Sequence, residues 1–283
     1  MLIEIGQSLL LTIAYLFSCF LLFFIGKIVY QLLNPSIKVN EELVIKDNLA
    51  FALSNTGYYI GLLLAIAGAM TGDSLGLVAD LLSVLLYGII GIILLNISLL
   101  IADKLILRKF KIRAEICDKQ NAGVGLVEGA TATGSGLIIY AGLYTGYGIP
   151  SAIGFWLFGQ VIFIITGLVY NAILPYDTDE HLAKSNVAVG IGKAGALIGI
   201  ANVLRAAIMH PFEGWETAAI IISYEVILGL LFLPLCRLVT DKILLPGQNL
   251  TDEIINQEQP NIGAAIIEAF AYIGGSVLIT LAI

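Results

Sequence analysis

The sequence predicts an all-α polytopic membrane helix bundle, with eight transmembrane helices arranged as two parallel four-helix repeats. Three observations carry that expectation. The 283 residues are 59% hydrophobic and only 12% charged, with a mean hydropathy of +0.96, far from the mix of a soluble domain. Eight apolar runs are each long enough to cross a hydrocarbon core of about 30 Å at about 1.5 Å per residue. The last four runs repeat residue patterns of the first four. A barrel is disfavoured, because its strands would show as alternating segments of about ten residues and none occur.

In order, the runs cover roughly residues 5–33, 48–70, 77–102, 121–144, 150–174, 186–209, 217–240 and 261–282. The first lacks the basic flank and short apolar stretch of a cleaved signal peptide and reads as a true span. Lys and Arg give the orientation. Lys27, Lys38 and Lys46 lie at the first connection, and Lys104, Arg108, Lys109, Lys111, Arg113 and Lys119 at the third. Lys184 lies at the fifth, and Arg237 and Lys242 at the seventh. The other two, Lys193 and Arg205, are inside the sixth run. Odd connections are therefore expected to be cytoplasmic, with both termini on the outer side. The balance of 21 acidic against 14 basic residues says little, because the bilayer separates loops by side, and no nucleic-acid partner is expected. Cys19, Cys117 and Cys236 read as free thiols.

The repeat divides the chain at 1–144 and 145–283. IKDNLAFALSNTGYYIG, ending at Gly61, matches LAKSNVAVGIGKAGALIG, ending at Gly199, at an offset of 138. QNAGVGLVEGATATGSG matches QPNIGAAIIEAFAYIGGS at an offset of 140, pairing Asn121 with Asn261 and Glu128 with Glu268. Tyr30 and Pro35 pair with Tyr170 and Pro175, and Asp103 with Asp241. An even number of spans per repeat predicts two halves related by a pseudo-twofold axis along the membrane normal. These Asn-to-Gly and Asn-Gly-Glu spacings resemble the bacterial YjfL-like inner-membrane proteins, known as domain of unknown function 350, in two tandem copies. The resemblance implies a multi-pass protein of the bacterial inner membrane without an established activity. It also implies an association with envelope-stress or membrane-remodelling systems.

The even-numbered spans each begin at an asparagine: Asn48, Asn121, Asn186 and Asn261. These are helix caps by residue type. Seven residues on, two turns deeper on the same face, stand Asn55, Glu128, Lys193 and Glu268, about 10 Å inside the boundary. An ionised group at that depth costs at least about 2.5 kcal/mol on insertion scales and needs a partner or water. The sequence therefore predicts one Glu/Lys/Glu layer, with Lys193 between two acids and the even spans forming an inner ring. Either the layer is a proton or cation station, or it is an inert ionic clamp. Gly57, Gly61, Gly125, Gly129, Gly195 and Gly199 give the small-residue spacing of close helix packing.

Arg205 and Glu225, in the opposite half of the membrane, read as a structural pair. Thr145-Gly146-Tyr147-Gly148 departs from the TVGYG of a potassium filter and reads as an interfacial turn. His210, Glu213 and Glu216 are split by Pro211 and read as a solvated loop, so no metal, cofactor or catalytic residue is expected, and no enzyme activity. The connection 103–120 mixes six basic with apolar residues. It is a candidate dock for anionic lipid or a peripheral cytoplasmic protein, or else the plain orientation signal. Two functions remain open: a small channel or transporter for protons or small cations, or a non-transporting scaffold that recruits a cytoplasmic partner. The sequence leaves the oligomeric state open.

Overall fold

The computed structural model describes residues 2–72, 74 and 76–283, with side chains from residue 9 onward. Its elements are α1 (Leu2–Leu33), α2 (Leu49–Ala69), α3 (Leu77–Leu105), α4 (Ala122–Tyr144), α5 (Ile149–Ile173), the short α6 (Thr178–Ala183), α7 (Val187–Ile208), α8 (Trp215–Val239) and α9 (Ile262–Ala282). Eight of these, all except α6, are long and apolar enough to cross a membrane. Every regular element among the described residues is helical, and the chain is a multi-pass membrane protein in contact with lipid.

Local chemistry fixes where each span starts. α3, α5 and α8 start after Gly76, Gly148 and Gly214, whose φ angles of 109°, 87° and 134° suit only glycine. The even spans α2, α4, α7 and α9 start after the four asparagines. Each asparagine side chain accepts the backbone N–H three residues on, at 3.0–3.2 Å, as an N-cap does. Before Asn48, Asn121 and Asn261 the chain makes a five-residue wide turn: Glu41–Ile45, Ala114–Asp118 and Asp252–Asn256. Before Asn186, α6 takes that place.

Packing corrects the expected ring. The even spans form an open row, α2–α4–α7–α9, in which each packs on the next. Glycine permits the close approach. A Cβ at Gly57 would fall on the Gly129 backbone, at Gly125 on Ala50, at Gly61 on Ala132, at Gly195 on Ala269, and at Gly199 on Tyr272. The odd spans form a second layer in the grooves of the first: α3 between α2 and α4, α5 between α4 and α7, α8 between α7 and α9. A twofold axis would turn the α4–α7 contact into an α9–α2 contact. No such packing exists among the described residues, so the repeats are related by a step along the row. All four hairpin connections that carry the asparagines, and with them most of the basic residues, gather at one end, here called the basic end.

Candidate functional site

The four side chains seven residues beyond the asparagines share one register, two turns into their helices, but they do not meet. Although α7 lies between α4 and α9 in the row, each side chain acquires its own surroundings. Lys193 is fully buried, and its Nζ reaches Asp179 Oδ1 and Thr178 Oγ1, both at 3.2 Å. No ion pair joins it to Glu128 or Glu268, which corrects the expected Glu/Lys/Glu layer. The reason is α6: its first turn folds back under α7 and brings its own carboxylate to the lysine. Asn55 is 3% exposed, and its Oδ1 has no hydrogen-bond partner.

Glu268 is fully buried and paired with Arg237 of α8. The Tyr272 hydroxyl donates to the same oxygen, Oε1, at 3.1 Å, and Arg237 also donates to Thr251 Oγ1 at 2.8 Å. The guanidinium stacks over the Tyr176 ring at 5.6 Å. This acid is neutralised and walled in.

Glu128 differs. The Ser54 hydroxyl donates to its Oε2, no cation among the described residues pairs with it, and it is only partly buried. It lines a cavity of about 220 Å³ between α1, α2, α3 and α4. Asp103, Asn96 and Tyr30 share that wall, and Arg113 and Cys117 of the basic-end connection line its mouth. The repeat explains the contrast. Arg237 stands at the position of Leu99, which borders the cavity in the first repeat. Gly192 stands at the position of Ser54, so Glu268 loses a hydroxyl partner and gains a guanidinium.

A second polar cavity, of about 290 Å³, opens between the same helices at the opposite end. Asp80 lies in its wall, accepting from Tyr15 at 2.8 Å, beside Tyr87 and Thr71. Between the two cavities the bundle is packed with Leu22, Tyr58, Leu62, Ile92, Leu95 and Ile139, each at most 3% exposed. The Tyr58 hydroxyl donates to the Gly26 carbonyl at 2.9 Å, and Asn96 donates back to Tyr58 at 3.3 Å.

The basic end is laced with charge. Asn48 Nδ2 donates to Glu42 Oε2 at 2.7 Å, and Lys46 holds the other carboxylate oxygen at 2.7 Å. Burial pushes the Glu42 carboxyl up, and these hydrogen bonds more than offset it, so it lies below the ordinary carboxylate range. Lys109 bridges Asp177 at 3.2 Å and Asp179 at 3.3 Å. Its hydrogen bond to Asp177 holds that carboxyl below its ordinary value, and the two acids raise the ammonium. Burial raises the Cys117 thiol to about 11. In the 103–120 connection Ile106, Leu107 and Ile116 turn inward, at 3%, 1% and 3% exposure, while Lys104, Arg108 and Lys111 face out.

Elsewhere, Glu225 pairs with His210 Nε2 at 2.7 Å, while Arg205 holds Asn202 and Met209. The expected Arg205–Glu225 pair is thus corrected, because the 209–214 turn brings His210 over Glu225. Tyr147 packs on Phe212 with ring centres 5.3 Å apart. The three cysteines are unpaired.

Sequence reasoning overlooked the roles of Arg237, Asp179 and Asp103. By sequence Arg237 reads as an orientation charge at the seventh connection. Its alignment with an apolar repeat partner was the signal that could have exposed it.

The family described as Domain of Unknown Function (DUF350) matches residues 4–143 and again residues 144–283. A UPF0719 transmembrane protein of Aquifex aeolicus (strain VF5) is 25% identical over 256 residues, covering 87% of this chain and 90% of its own. No solved structure matches.

Proposed function

On the premise that this chain belongs to the DUF350 family, as two tandem copies, we propose that it is a small channel or transporter for protons or small cations. Its first four spans form the permeation unit, and Glu128 is the titratable station. One observation carries the reading: two polar cavities, each with a carboxylate in its wall, lie at opposite ends of α1–α4, with a packed plug of mostly apolar side chains and Tyr58 between them. A constriction of that kind gates by excluding water. An intramembrane carboxylate that faces a cavity and lacks a cation is a natural site for proton or cation exchange.

In this reading the basic end is cytoplasmic, in a bacterial inner membrane. A proton or cation enters past Asp103 to Glu128, and motion of α1 or α3 against Tyr58 and Leu62 opens the way to the Asp80 cavity. The Ser54 hydroxyl donates to the charged carboxylate, steadies it, and can turn away when it is protonated. The second repeat is framework. Arg237 occupies the place of the cavity and clamps Glu268, and the buried Lys193–Asp179 pair ties α6 to α7. Lys193 is thus an anchor rather than the charge that tunes Glu128.

The competing reading is a scaffold that recruits a cytoplasmic partner, and the outward Lys104, Arg108 and Lys111 favour it. Flux of protons, Na⁺ and K⁺ through purified protein in liposomes separates the two. Flux that depends on Glu128 supports transport, and none across all three ions and pH 5–8 favours the scaffold.

A further inference from the structure

The cavity beside Glu128 is lined by oxygen acceptors that the chain leaves partly unused. Glu128 receives the Ser54 hydroxyl at Oε2, and its Oε1 has no donor among the described residues. Asp103 is half-buried in the same wall. It has neither a hydrogen bond nor an ion pair among the described residues, and it is close enough for its charge to act on Glu128. Asn96 is 7% exposed, and its Nδ2 donates to the Ile92 carbonyl at 2.8 Å and to the Tyr58 hydroxyl at 3.3 Å. A carbonyl only accepts, so the amide cannot be turned round. Its Oδ1 is therefore left to the cavity that Asn96 lines, with no donor among the described residues. Unlike Asn55 Oδ1, it is not sealed off by packing. Arg113 at the mouth donates to the Ser36 carbonyl at 3.4 Å and pairs with neither acid.

The second repeat shows what this place takes. Glu268 matches Glu128, and there Arg237, at the position of Leu99, brings a cation to the carboxylate. The neutral oxygens are missing from that half: Pro234 stands at the position of Asn96, and Gly192 at that of Ser54. Asp241, the match of Asp103, is turned to the Leu250 N–H at 2.8 Å. One repeat thus carries its own cation and lacks the neutral oxygens. The other keeps the oxygens and two acids around a cavity, and brings no cation of its own to them among the described residues.

Charge, spacing and size decide the ion. Two carboxylates balance one divalent charge, whereas a monovalent ion leaves one of them uncompensated. Asn96 and Asp103 stand seven residues apart on one face of α3, about 10 Å along its axis, which is too far to ligate one bare ion directly. Magnesium holds an octahedral shell at about 2.1 Å and sheds its waters reluctantly. With hydrogen bonds of about 2.8 Å beyond those waters, acceptors on opposite sides of a hydrated ion lie about 10 Å apart. Six waters at about 30 Å³ each need about 180 Å³, and the cavity offers about 220 Å³. Calcium, which draws roughly six to eight oxygens directly onto itself, fits this spacing less well. We infer that the cavity binds a hydrated divalent cation of the magnesium class, with Asp103, Glu128 and Asn96 accepting from its waters. The inference names the ion for the transport reading and rests on that reading for its purpose, while binding itself is read without flux.

The test is calorimetric titration of magnesium chloride into the purified chain in uncharged micelles. One site per chain is expected, and Glu128→Gln or Asp103→Asn should each weaken it about 10–100-fold, as loss of a partner to a metal's outer shell does. Glu213→Gln, on the exposed turn at the opposite end, should leave it unchanged. Hexamminecobalt(III), whose ligands do not exchange, mimics a hydrated magnesium ion and should compete for the site in the wild-type chain, a check that does not depend on the substitutions. No binding at millimolar magnesium, equal binding in both acid variants, displacement by an equal concentration of sodium, or failure of hexamminecobalt to compete would each overturn the proposal. Magnesium binding without magnesium flux in liposomes would support the site and remove the transport reading. Proton flux without magnesium binding would overturn the site and leave the transport reading in place.

Discussion

Arg237→Met is the perturbation in which the two repeats should differ most. Glu268 is fully buried, and its only cation among the described residues is Arg237, itself 15% exposed. Removing the guanidinium leaves the Glu268 carboxylate with one hydroxyl partner, Tyr272, and with Oε2 unsatisfied. It also removes the bond to Thr251 and the stacking on Tyr176. Breaking a buried pair from one side costs about 3–5 kcal/mol. Glu128→Gln, by contrast, removes no ion pair and keeps an acceptor for the Ser54 hydroxyl, so it should cost no more than about 1 kcal/mol. Arg237→Met combined with Glu268→Gln should recover most of the loss, because no charge is left stranded. Unfolding in mixed micelles, followed by helical circular dichroism, would rank the variants. If Arg237→Met were as stable as the wild type, or Glu128→Gln equally damaging, the contrast between a clamped and an open acid would be wrong.

Asp179→Asn should destabilise more than Lys193→Met, because Lys193 pairs with no other carboxylate among the described residues while Asp179 keeps Lys109 at 3.3 Å; the same unfolding assay reads it. Asn121→Ala should cost about 1–2 kcal/mol for the cap, plus the bond to Leu182. Asn261→Ala should cost less, since its Nδ2 bonds only Glu253 of its own hairpin among the described residues. The Asp177 carboxyl lies below its ordinary value, so its contribution is present above the unfolded carboxylate range, near pH 4, and lost as pH falls through the folded value. Acid titration followed by NMR of a labelled Lys109 should therefore show release only below about pH 4, and release nearer neutrality would contradict the Lys109–Asp177 contact.

The spans, their caps and the packing glycines were legible because each rests on local chemistry: hydropathy over one helix length, an asparagine before it, small residues on one face. The shared register of Asn55, Glu128, Lys193 and Glu268, two turns beyond the caps, followed from the same spacing. Which groups would meet there did not, because it depends on how the helices are laid side by side. Lys193 stands on the helix between the two glutamate helices, yet its ammonium goes to Asp179, a residue on a short helix that hydropathy reads as loop. The fate of Glu268 turned on Arg237, one span away and aligned with Leu99, a substitution visible only when the repeats are compared position by position. The pairing of His210 with Glu225 depended on a turn whose path no periodicity encodes.

Proton and cation flux through reconstituted protein tests the central claim most directly, comparing the wild type, Glu128→Gln, and the paired variant Arg237→Met with Glu268→Gln. The account predicts that Glu128→Gln lowers flux at least about tenfold, as loss of a proton-transferring group does, while folding persists. It predicts that the paired variant, altered only in the closed repeat, conducts like the wild type. Undiminished flux in Glu128→Gln, or flux that disappears only with the paired variant, would contradict it.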